Sequence, residues 1–188
     1  MTVRRVLAET YRSALPAVLV SAVGGLLAGL LLSGMDTELA AVDGLLVMIP
    51  AFLAIRGSVY GSLGSRLSSA LHQGIIAPEV RLDRRLVTAV LAALSNGLLA
   101  SLAAALFTFL LLGVAGRSVS LLLLVSIALL GGILAGVALT GVIVVAVFGG
   151  YRRGMNPDDL VGPVMTTAGD ILGMGALFLA TRIALALV

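Results

Sequence analysis

Two stretches of the sequence carry residue types able to do chemistry. One is Asn156-Pro157-Asp158-Asp159, followed by Pro163, Thr166, Thr167, Asp170 and Gly173. The other holds Pro50 and Arg56, then Gly57, Ser58, Gly61 and further glycines and serines as far as His72. Carboxylates, hydroxyls and backbone carbonyls freed by proline and glycine are hard oxygen ligands. They suit Mg²⁺ or Ca²⁺ and fit soft or imidazole-preferring metals poorly. With no cysteine and one histidine, the chain has no thiolate site and no H-E-x-x-H pair. Ser68 and His72 lack a third member for nucleophilic catalysis, and Asp170 lacks the second membrane aspartate of an aspartyl protease. The chain therefore reads as not an enzyme.

The frame for these residues follows from composition. Of 188 residues 60% are hydrophobic and 11% charged, and mean hydropathy is +1.19. Soluble domains carry about 25% charged residues, so this chain has too little polar surface for water. A soluble enzyme, a nucleic-acid binder and a disordered chain are excluded together, and the lipid bilayer is the expected partner. The twelve basic residues are all arginine and the net charge is only +3, so the basic balance is no nucleic-acid footprint.

A helix needs about 20 apolar residues to cross roughly 30 Å of hydrocarbon. Five segments meet or approach this: 15–33, 39–74, 86–114, 119–148 and 160–188. The predicted fold is all-α, a single transmembrane domain over 1–188 with five crossings and no cleavable leader. Arg4, Arg5, Arg12, Arg81, Arg84, Arg85, Arg152 and Arg153 fall on one side, with only Arg117 on the other beside Asp36, Glu38 and Asp43. The arginine bias puts the N-terminus inside and the C-terminus outside. The location implied is the cytoplasmic membrane, in a multi-pass arrangement.

The second and fifth segments are unusual. Residues 41–74 as one helix would be about 51 Å long, so a tilt, a projection or a break is predicted, with Pro50 and Gly57 as break points. Asn156-Pro157-Asp158-Asp159 reads as the start of the fifth helix. Eleven residues further, roughly 16 Å along, Asp170 reaches the bilayer midplane. A carboxylate there faces an interior or a wet path by default. The pore-lining set predicted beside it is Pro50, Gly57, Ser58, Gly61, Pro163, Thr166, Thr167 and Gly173. Arg56, Asp158, Asp159 and His72 are candidates for the mouth or gate.

Each assignment has a plainer rival. Arg182 or Thr166 could satisfy Asp170, Arg56 could snorkel or pair with an aspartate, and the glycine stripe could be a helix-packing face. Asp158 and Asp159 could only cap their helix, and Asn96 reads as interhelical glue. One carboxylate per chain cannot neutralise a divalent ion, whereas two from a two-fold dimer can.

Pro50 through Gly61, then Ser65-Arg66-Leu67-Ser68-Ser69-Ala70-Leu71-His72-Gln73-Gly74, resembles the first conserved block of the MgtE / solute carrier family 41 divalent-cation transporters. Asn156-Pro157-Asp158-Asp159, Gly162-Pro163 and Thr166-Thr167-Ala168-Gly169-Asp170-Ile171-Leu172-Gly173 resemble the second. The resemblance implies a homodimer of five-helix units with its pore at the dimer interface, lined by the second and fifth helices. It implies that Asp170 of both subunits binds a largely hydrated Mg²⁺, with Mn²⁺ and other divalents as alternatives. Ser58 stands where many relatives have asparagine. The resemblance covers a transmembrane unit without the cytosolic N domain and CBS pair, so a sensor would have to come from a separate regulatory subunit. Rival functions are a Na⁺- or H⁺-coupled divalent-cation exporter and an accessory subunit of a heteromeric transporter.

Overall fold

A computed structural model describes residues 3–80 and 83–187, which form six helices. They are α1 (Val3–Ser33), α2 (Asp36–Ala41), α3 (Leu45–His72), α4 (Arg84–Val114), α5 (Leu121–Arg152) and α6 (Pro157–Leu187). Arg81 and Val188 lie outside the described residues, as do the side chains of Arg4, Arg5 and Arg12. All but α2 contain a stretch long and apolar enough to cross a membrane, beginning at Leu15 in α1. Multi-pass membrane architecture is therefore a property of the fold.

The predicted second segment is broken, but not where proline and Gly57 suggested. The chain departs from helix at 42–44, where Gly44 adopts φ +90° and separates α2 from α3. That left-handed geometry favours glycine. Space demands it too, since a Cβ at Gly44 would lie 2.6 Å from Leu112 Cδ1. Pro50 and Gly57 both lie within continuous α3. Pro50 stands in the second turn, where its missing N–H takes one bond from Leu46 O and the helix runs on. Gly57 lies in mid-helix, and a Cβ there would point into open space. At 28 residues, α3 is about 42 Å long.

Capping fixes the other starts. Asp83 Oδ1 accepts from Leu86 N–H at 2.7 Å and opens α4, while Ser120 Oγ accepts from Leu123 N–H at 3.3 Å and opens α5. Asn156 Oδ1 accepts from Asp158 N–H at 3.2 Å, with Pro157 as the first residue of α6. A side-chain acceptor at this point satisfies one of the orphan amides of the first turn.

The core forms where α3, α5 and α6 meet, with α4 against α3 and α5 and α1 against α6. Phe52, Tyr60, Leu124, Ile127, Leu139, Ile143 and Leu177 are fully buried there. Small residues make this possible: on α5, Ala128, Gly131, Gly132, Ala135 and Gly136 are buried in sequence order along one face. Helices in lipid gain from such close backbone approach, because lipid supplies no hydrophobic drive between them. A Cβ on Gly131 would meet Phe52 at 3.1 Å and one on Gly136 the Tyr60 hydroxyl at 2.5 Å, so α5 is shaped around two aromatic residues of α3. By contrast α1 leaves Val18, Leu19, Val23, Leu26 and Leu30 exposed.

Candidate functional site

The two polar stretches meet along α3 and α6. Three contacts define how: a Cβ at Gly64 would lie 2.9 Å from Val161 Cγ1, one at Gly169 3.8 Å from Gly57 N, and one at Gly173 2.9 Å from Leu53 Cδ2. One antiparallel register satisfies all three. It places Asp170 level with Arg56 and Thr166 level with Tyr60. The α3 backbone at Gly57 N thus lies just beyond the space a side chain at Gly169 would take.

Beside this crossing lies an open face. A Cβ at Gly57, Gly61 or Gly162 would meet nothing within 4 Å. Pro50, Gly162 and Thr166 are exposed, and Gly57, Gly61, Pro163 and Asp170 are partly so. On α6, Asp159, Thr166 and Asp170 follow at intervals of seven and four, which puts them on one side of the helix. Thr166 Oγ1 donates to Gly162 O at 3.0 Å, turning its hydroxyl back on its own helix. Among the described residues Asp170 has no hydrogen-bond or ion-pair partner, and no three metal-ligating acids or histidines gather at one point.

Several sequence-predicted residues lie elsewhere. Thr167 faces α1: its Cγ2 would be 2.7 Å from a Cβ on Gly24, and its hydroxyl is buried without a partner. Gly173 sits inside the α3–α6 contact, under Leu53. Ser58 lies toward α4, in a groove of about 250 Å³ shared with Ser62, Arg66 and Asn96. Asn96, read as interhelical glue, is exposed on that groove. Arg182 pairs with Glu38 (3.4 Å) near the far end of α6 and not with Asp170. Asp158 and Asp159 are exposed in the first turn of α6. His72 closes α3 on the same end of the molecule, with Nδ1 3.0 Å from Ser68 O and its ring edge-on to Tyr151 at 5.6 Å.

Arg56 departs furthest from expectation. It neither snorkels nor meets an aspartate, and its side chain is fully buried. The guanidinium sits over the Phe52 ring at 4.2 Å, and its NH2 group donates to Ser101 Oγ and Gly97 O on α4. Among the described residues its Nε and NH1 have no hydrogen-bond acceptor. Phe52, Arg56 and Tyr60 recur every four residues, a spacing that puts them on one helix face. That spacing was the available signal for this cluster, whereas Gly97 and Ser101 carry none on their own.

The chain is 28% identical over 186 residues to solute carrier family 41 member 3 of rat, covering 93% of this chain and 38% of the rat protein. It is 29% identical over 138 residues to solute carrier family 41 member 2 of chicken, covering 70% of this chain and 23% of that one. The chain thus spans well under half the length of these relatives. A family model described as MgtE, divalent cation transporter, matches residues 49–180, which run from the start of α3 through the α3–α6 crossing. The chain belongs to the MgtE / solute carrier family 41 family of divalent cation transporters.

Proposed function

We propose that this chain conducts Mg²⁺ across the cytoplasmic membrane as a homodimer, with the ion held between the Asp170 carboxylates of the two copies. The observation that carries the reading is Asp170 itself. It is the one acidic residue deep within a membrane-spanning helix, it is partly exposed on the open α3–α6 face, and it has no partner among the described residues. A carboxylate at that depth is costly unless it meets a cation or water. A second copy facing the open strip would double the charge, supplying the two negative charges that a divalent ion needs.

Pro50, Gly57 and Gly61 on α3, with Pro163 and Thr166 on α6, would line the path, and Ser58 would face the α4 groove instead. Mg²⁺ sheds water reluctantly and is held through its hydration shell by few carboxylates, which fits a strip of glycines and hydroxyls around one acid. Thr167 would serve instead to seat α1, and Gly173 to set the helix spacing. Asp158, Asp159 and His72 would stand at the inner mouth, where paired acids concentrate cations. Inward flow is favoured by about 2.3 kcal/mol per charge per 100 mV of inside-negative potential.

The test is Mg²⁺ uptake into proteoliposomes. Asp170→Ala is expected to abolish uptake, and uptake at the wild-type rate would overturn the reading. Flux with and without imposed Na⁺ or pH gradients distinguishes conduction from coupled export.

A further inference from the structure

A buried guanidinium lies level with the candidate ion site and, among the described residues, has no acid to neutralise it. Arg56 is fully buried in a membrane-spanning helix, and two of its three nitrogens lack acceptors. The contacts that α6 makes with it are to its stem: Cβ positions on Gly169 and Gly173 would lie 3.9 Å from Arg56 Cβ and 3.5 Å from Arg56 Cγ. Asp170 is the neighbour of Gly169 in sequence. The one buried cation of α3 and the one deep anion of α6 therefore share a level across the closest helix crossing, while the guanidinium points away, toward Gly97 and Ser101 of α4.

Such a charge is expensive to keep. An ion stripped of water costs several kcal/mol unless it is well paired, and an apolar residue of similar volume is often the more stable choice. Arginine cannot shed its proton to escape this cost. Hydrogen bonds to one hydroxyl and one carbonyl could be supplied by a neutral side chain. What a neutral side chain cannot supply is the field.

We propose that Arg56 is a resident counter-charge that weakens divalent binding at the Asp170 site, so that the ion can leave it; the proposal rests on Asp170 being that site. A conducting site must bind strongly enough to admit an ion and weakly enough to release it. Two carboxylates at membrane depth, unopposed, would err toward retention. Close-packed helices put the guanidinium on the order of 10 Å from the ion. At that range, with an effective dielectric constant of about 20, one fixed charge alters the binding of a divalent ion by about two decades. Salt does little to screen a pair buried in this way.

The experiment is a Mn²⁺ titration of the purified full chain in lipid nanodiscs, followed by electron paramagnetic resonance in alkaline buffer, beside Mg²⁺ flux in proteoliposomes. Arg56→Gln is expected to lower the half-saturating Mn²⁺ concentration at least about tenfold and to reduce maximal flux. Arg56→Lys, which retains the charge and loses the planar fork, should stay within about threefold of wild type. A half-saturation unchanged in Arg56→Gln overturns the proposal. So does Arg56→Lys behaving like Arg56→Gln, because the guanidinium is then only a tether to α4. Arg56→Met replaces Arg56→Gln if the latter does not fold, and failure of every variant including Arg56→Lys likewise assigns a tether. Asp170→Asn separates the two levels of inference. Loss of Mn²⁺ binding in Asp170→Asn with no effect of Arg56→Gln removes the counter-charge and keeps the site, whereas unaltered binding in Asp170→Asn removes the site.

Discussion

The packing of α3 against α5 and α6 sets the surroundings of Asp170, and alanine at Gly64 and at Gly169 tests that packing at two points. A methyl added at Gly64 would lie 2.6 and 2.8 Å from Cδ1 and Cγ1 of Ile143 on α5 and 2.9 Å from Val161 Cγ1 on α6. One added at Gly169 would find its nearest neighbours at 3.8 and 3.9 Å, ordinary contact distances. Both positions lie inside helices, so both substitutions gain the same roughly 0.5–1 kcal/mol of backbone preference for alanine over glycine. That gain cancels in the difference. The remainder is the overpacking cost at Gly64 alone, about 1–3 kcal/mol. Denaturant unfolding in mixed micelles, followed by circular dichroism, should place Gly64→Ala below wild type and Gly169→Ala at or above it. A cycle sharpens the result. Ile143→Val removes the nearest offending atom and alone costs about 0.5–1.5 kcal/mol, but in the Gly64→Ala background it should cost less or stabilise. A coupling of at least about 0.5 kcal/mol is expected between residues in contact. Equal midpoints for the two alanine variants, or an Ile143→Val cost that is the same in both backgrounds, would refute this packing of α3 against α5 and α6.

Other outcomes follow from single contacts. Asp83→Ala removes the side-chain acceptor 2.7 Å from Leu86 N–H and should destabilise the start of α4 by about 1 kcal/mol, read from the same unfolding midpoints and recovered by Asp83→Ser. Ser101→Ala takes from the Arg56 NH2 group its hydroxyl acceptor and should cost about 1–3 kcal/mol, the penalty of a buried donor left short. The chain has no cysteine, so single introduced cysteines report orientation without background. Labelling of intact cells by an impermeant maleimide should reach Arg117→Cys from outside and leave Met155→Cys, on the exposed connector before α6, unmodified until the membrane is permeabilised; the reverse pattern would invert the arginine-based topology.

Hydropathy made the five crossings legible because lipid imposes one strong requirement, about twenty apolar residues per span. The start of α6 was equally plain, since Asn156, Pro157 and two aspartates supply an acceptor, a fixed φ and a favourable charge within four residues. The break in the second segment was misplaced because proline and glycine have meanings that depend on depth in a helix. Pro50 and Gly57 are both accommodated within α3, whereas the actual break rests on Gly44 at φ +90°, in an Asp43-Gly44 pair whose turn character was the available signal. Asp170 stood out because its cost is visible from one residue and its depth. The surroundings of Arg56 did not, because they are assembled from Gly97 and Ser101 of another helix, and nothing in a pair of small residues announces an arginine partner. Thr167 illustrates the same limit from the other side: adjacent to Thr166 in sequence, it is turned by about 100° around the helix and meets Gly24 of α1 instead of the open face.

The claim that two Asp170 side chains hold the transported ion is tested most directly by locating a divalent cation in the membrane domain. Mn²⁺ substituted for Mg²⁺ gives an anomalous signal in crystals of the full chain. The account predicts one peak on a two-fold axis between the Asp170 carboxylates of two copies, absent in Asp170→Asn crystals grown with the same Mn²⁺. A peak elsewhere, at Asp158 and Asp159 for example, or one that survives Asp170→Asn, would contradict it.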